Sequence, residues 1–136
     1  MLKKTIKYTD YFGNEREEVF CFNLSQSEIA EIQWEAEGGD LEAMLNRIVR
    51  ETDTKRLKDM FKEIILRSYG EISPDGRRFI KSEEISTAFY QTEAYSNLFI
   101  ELLQDTSKLT EFVNAIIPKI PDDKNAVAKL TVVESN

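Results

Sequence analysis

The sequence predicts a mainly α fold in which an N-terminal β-hairpin packs on a bundle of about five short helices. Three observations carry that reading. Two segments near the N-terminus alternate polar and apolar residues on either side of a Gly-Asn pair, as the strands of a hairpin do. Further along, apolar residues recur at intervals of three and four, and most of these segments open on a residue suited to cap a helix. The composition is that of an ordinary globular chain: 136 residues, 41% hydrophobic and 32% charged, long enough to bury a core without disulfides or metal. One domain over residues 1–118 is expected, with 119–136 as a mobile tail.

The first strand is expected at about 3–10, where "KTIKYTDY" sets Ile6 and Tyr8 on one face. The second is expected at about 16–24, where "EEVFCFNL" sets Phe20, Phe22 and Leu24 against Val19 and Cys21. Gly13 and Asn14 can supply the positive φ values of the loop between them. A lone two-stranded hairpin is marginal in water, so its aromatic face must pack on helices. Ser25 and Glu28 in "SQSE" form a capping box, and the helix they open stops at Gly38-Gly39. Asp40 caps "LEAMLNRIVRE", whose Leu41, Met44, Leu45, Ile48 and Val49 trace one stripe. Asp53 or Thr54 starts a helix carrying Leu57, Met60, Phe61, Ile64 and Ile65, with Gly70 as the residue that ends it. Ser82 caps a helix bearing Ile85, Ala88 and Phe89, which Thr92 restarts or bends before Tyr95, Leu98, Phe99, Leu102 and Leu103. A last helix with Leu109, Phe112, Val113, Ile116 and Ile117 ends before Pro118. The tail has no helical period and only a weak strand pattern at "KLTVV".

Stripes of this kind are core. Trp34, Leu66 and Ile100 lie off them, on the polar side of their helices, and face either a second layer of the same domain or a partner chain.

The sequence offers little to catalysis. It contains no histidine, which removes the commonest general base near neutral pH, and with one cysteine no zinc set or internal disulfide can be assembled. The acid pairs Glu17-Glu18, Glu83-Glu84 and Asp122-Asp123 read as solvated charge, the glycines form no phosphate-cradling loop, and Cys21 reads as a buried, inert thiol. No enzyme activity, cofactor or metal is therefore expected. Twenty-five acidic against eighteen basic residues give a net charge of −7, which argues against nucleic acid as a main partner, because binding phosphates requires a basic footprint. The N-terminal residues lack the apolar core of a signal peptide, and "NLFIELL" is too short to span a membrane. A cytoplasmic protein with no membrane partner is expected.

The stretch "YGEISPDGRRFIKSEE" contains Ser73-Pro74-Asp75-Gly76, which suits a type I turn. On physical grounds alone, Arg77 and Arg78 lie in an extended or irregular connector pinned by Phe79 and Ile80, their guanidinium groups paired with nearby acids. The run "YGEISPDGRRFIKSEEISTAFYQTEAYSNLFIELLQD", followed by "EFVNAIIP", resembles the tail assembly chaperones of long-tailed bacteriophages and prophages of Gram-positive bacteria. The opening "TIKYTDYFGNEREEVFCFNLSQSEI" is similar to the start of the same family, and the likeness covers nearly all of residues 1–118.

The resemblance implies a non-enzymatic helper in the host cytoplasm. Such a protein binds the tape measure protein, keeps it soluble and is left out of the virion. A frameshifted longer form would recruit tail tube subunits. It also implies a contact role for Arg77, Arg78 and Phe79 beside Trp34, Leu66 and Ile100, and leaves room for a weak homo-oligomer. The alternative from a different class is a small prophage-encoded interaction or regulatory protein, also not an enzyme.

Overall fold

Residues 1–35 and 54–117 are described by the computed structural model of the chain. Strands β1 (Leu2–Thr9) and β2 (Glu15–Phe22) pair antiparallel along their whole length, Leu2 opposite Phe22 and Thr9 opposite Glu15. Their loop closes where the Gly13 N–H donates to the Asp10 carbonyl at 3.0 Å and the Asp10 N–H to the Asn14 carbonyl at 2.8 Å. Gly13 has φ +86°, the left-handed conformation that a side chain would strain. One face of the hairpin carries the apolar side chains as the alternation predicts: Ile6 and Phe22 are buried, and Leu2, Tyr8 and Phe20 pack against the core. Val19, on the other face, is 59% exposed, and Cys21 beside it is half-buried rather than buried. β2 ends before Asn23 and Leu24. Their N–H groups leave the sheet and donate to the carbonyls of Ser68, at 2.8 Å, and Ile116, at 2.7 Å.

Five helices follow among the described residues: α1 (Gln26–Glu35), α2 (Thr54–Ser68), α3 (Glu83–Tyr90), α4 (Glu93–Gln104) and α5 (Thr106–Ile116). The capping box of α1 is complete, with the Ser25 N–H donating to the Glu28 carboxylate at 2.8 Å and the Glu28 N–H to the Ser25 hydroxyl at 3.2 Å. Ser82 caps α3 and Thr92 caps α4, so the chain restarts at Thr92. Asp105 caps α5 by accepting from the Ser107 N–H at 3.0 Å. The helix expected from Leu41, the Gly38-Gly39 stop and the tail 119–136 lie outside the described residues.

The expected fold is corrected at one place. The segment after α2 is not an irregular connector but a second hairpin, β3 (Tyr69–Ile72) and β4 (Phe79–Ile80), which extends the sheet to four strands in the order β1-β2-β3-β4. Gly70 does not end a helix; it pairs with Cys21 inside β3. A Cβ there would lie 2.6 Å from the Phe79 ring and 2.9 Å from the Ile80 carbonyl oxygen, so the strand depends on the absence of a side chain. The Ser-Pro-Asp-Gly turn forms as predicted, closed by the Gly76 N–H on the Ser73 carbonyl at 2.8 Å, with Gly76 at φ +74°.

The core lies between the inner face of the sheet and α2–α5. Phe89 of α3 stacks on Tyr69 with ring centroids 4.1 Å apart and contacts Phe20, Phe22 and Tyr95 at 5.3–5.8 Å. Phe22 reaches Phe112 of α5 at 5.3 Å. One aromatic cluster therefore joins both hairpins to three helices.

Candidate protein-interaction surface

The tip of the first hairpin is held from within. The Asp10 carboxylate accepts from the N–H groups of Phe12 and Asn14, each at 2.9 Å, and from Arg16 Nε at 2.6 Å. Arg16 first, and the Asn14 N–H second, hold this carboxyl below the usual aspartate range. The order serves no core contact: Phe12 is 93% exposed and Tyr11 is exposed beside it. Tyr11 donates to the Gln91 carbonyl at 3.3 Å, leaning the tip toward the junction of α3 and α4. The result is a fixed turn that presents two aromatic rings to solvent. Under it runs an open groove of about 950 Å³ between the hairpin and the start of α4, lined by Lys7, Asp10, Arg16, Glu93 and Asn97 among others. Its charges are mixed, and among the described residues no group of acids and thiols could hold a metal ion.

The tip of the second hairpin is organised in the same way. The buried Ser73 hydroxyl donates to Asp75 Oδ1 at 2.7 Å and accepts from the Arg78 N–H at 3.0 Å, while the Arg77 N–H donates to Asp75 at 3.0 Å. Those donors, Ser73 first, lower the Asp75 pKa. The expected pairing of the arginines with acids does not occur among the described residues, where Arg77 and Arg78 bond through their N–H groups, to Asp75 and Ser73. Both guanidinium groups are exposed. Phe79 is half-buried; its ring covers Gly70, with Lys81 Nζ 5.6 Å from the ring centre.

The other residues expected at a contact are scattered. Ile100, on α4, is 47% exposed. Leu66 packs against the core, in line with the second-layer reading of an off-stripe residue. Trp34 belongs to the last turn of α1, and its side chain is outside what is described. Sequence reasoning missed Tyr11 and Phe12, although two adjacent aromatics at a hairpin tip, where no core can reach, were a readable signal.

No helix among the described residues is long and apolar enough to cross a membrane. The sequence model of a family described as phage tail assembly chaperone matches residues 1–129. No curated protein and no solved structure matches the chain.

Proposed function

Because the chain belongs to the phage tail assembly chaperone family, we propose that it acts by stoichiometric binding. It holds the tape measure protein in solution during tail assembly in the host cytoplasm and is absent from the finished virion. A longer, frameshifted form would bring tail tube subunits to the same complex. The family is not one of enzymes, and the histidine-free sequence fits that.

The observation that carries the reading is the pair Tyr11 and Phe12, two exposed aromatic side chains on a turn whose backbone the Asp10 carboxylate holds, on an acidic molecule. A long helical client offers amphipathic faces, and rigid exposed aromatics bind such faces while losing little conformational freedom. The net charge of −7 keeps a loaded complex dispersed. Arg77, Arg78, the open side of Phe79 and Ile100 extend the proposed contact surface, together with Trp34 and any part of Leu66 that reaches solvent.

Co-expression with the tape measure protein encoded in the same phage tests this. Rescue of its solubility and a co-purifying complex are expected. Phe12→Ala should reduce the recovered complex by roughly tenfold, the weight of one aromatic hot spot, with an unchanged thermal transition. An insoluble tape measure protein with no complex would overturn the proposal.

A further inference from the structure

The two hairpins meet over only two residue pairs, Cys21 with Gly70 and Phe22 with Tyr69. The rest of β2, Glu15 to Phe20, is paired on one side only, by β1. The register shows which groups this leaves open. Asp10 donates to Asn14, and Asn23 donates away from β1 to Ser68, so the odd-numbered residues of β2 turn their N–H and C=O groups away from β1. The N–H and C=O groups of Glu15, Glu17 and Val19 therefore form an edge with no strand beside it among the described residues. Native proteins normally cover or blunt such an edge.

A crevice of about 260 Å³ opens at the Phe20 end of this edge, between β2, β3 and α3. Its floor is apolar, formed by Phe20, Tyr69, Phe89 and Ile85, and its rim carries the carboxylates of Glu71 and Glu84. Burial first, and Glu71 second, push the Tyr69 phenol up, as expected for a dry floor under an acidic rim. Glu15 and Glu17 line the opposite face of the edge, and none of these four acids has an ion pair among the described residues.

The geometry points to strand addition at β2: an extended segment of the client protein, with apolar residues alternating with Lys or Arg, pairs along Glu15–Val19. Side chains of the added strand alternate between faces. Those on the inner face enter the apolar crevice, and those on the outer face lie opposite Glu15 and Glu17, where a cation is favoured and a carboxylate disfavoured. A second copy of this chain is a poor occupant, because antiparallel pairing of two Glu15–Val19 edges, odd-numbered residues against odd, would set Glu17 against Glu17 of the copy. This inference deepens the chaperone reading and rests on it for the identity of the client.

The probe is a capped peptide of alternating Lys and Val, compared with a block-ordered peptide of the same composition, on the full chain. Amide hydrogen exchange should show new protection at Glu17 and Val19 with the alternating peptide only. Val19→Pro removes an edge N–H without touching the β1 ladder, and should weaken binding about tenfold or more. If that variant misfolds, Glu71→Lys with Glu84→Lys, both at exposed positions, should weaken binding similarly. Equal binding of both peptides, or unchanged binding by the rim variant, overturns the inference; so does protection at Glu17 and Val19 that rises with protein concentration alone. Tape measure co-purification separates the two readings. A complex that survives Val19→Pro and the rim variant sinks strand addition alone, whereas edge protection by the peptide without any tape measure complex sinks the chaperone reading alone.

Discussion

Lys81 and Glu28 are the pair of side chains that fastens α1 to the segment ahead of α3. Lys81 Nζ lies 2.6 Å from Glu28 Oε2 and 2.7 Å from the Asn23 carbonyl, and the other Glu28 oxygen completes the capping box. Burial by itself would raise the Glu28 pKa, but Lys81 and the Ser25 N–H outweigh it and the net shift is downward from 4.5. A carboxyl with a lowered folded-state pKa contributes stability that is present above its unfolded value and is lost as pH falls through the folded one. Glu28→Gln keeps an acceptor for the cap and removes the charge, so it should cost up to about 1 kcal/mol at pH 7 for a partly exposed pair. That deficit should close as pH is lowered below 4.5. Urea unfolding of parent and variant at neutral and acidic pH measures it; a deficit independent of pH would assign the effect to the cap instead of the charge.

The elements are fixed by a few backbone requirements. β3 exists only because Gly70 admits the Phe79 ring and the Ile80 carbonyl, neither of which leaves room for a methyl group. Gly70→Ala should therefore destabilise by about 1–3 kcal/mol through overpacking. Adding Phe79→Ala should cost less than the two single changes summed, since the same substitution removes the nearer clash. Strict additivity in denaturant titrations would show that the ring is not the obstacle. For α5 the Asp105 carboxylate caps the first turn by accepting from the Ser107 N–H, and Asp105→Ala should lower stability by about 1 kcal/mol.

In the molecule as a whole, Phe89 is where the sheet and the helices meet. Its ring contacts Phe20 and Phe22 of β2, Tyr69 of β3 and Tyr95 of α4. Phe89→Ala should remove about 3–5 kcal/mol, a large share of the ~5–15 kcal/mol that usually holds a domain together. Near-ultraviolet circular dichroism and the sharpness of the thermal transition should both fall, while much of the far-ultraviolet helix signal survives. A sharp transition displaced by only a few degrees would mean that the two hairpins dock independently of this ring.

The sequence by itself determined the first hairpin, the capped starts at Ser25, Ser82 and Thr92, the core stripes of α2, α4 and α5, and the family resemblance that the match over residues 1–129 bears out. Each of these is a local signal: a period, a capping side chain or a run of recognisable residues. The tertiary structure alone decided that Tyr69–Ile80 is a second hairpin, because its strands are too short to show alternation, and that it extends the sheet, because the pairing of Gly70 with Cys21 joins residues far apart in sequence. It alone decided that Leu66 turns inward while Phe12 stands in solvent, since a helical wheel or a turn motif gives a direction but not what lies there. The open edge of β2 has the same origin. A strand pattern shows which side chains face the core, but whether its backbone is paired on both sides depends on where another strand, distant in the chain, stops.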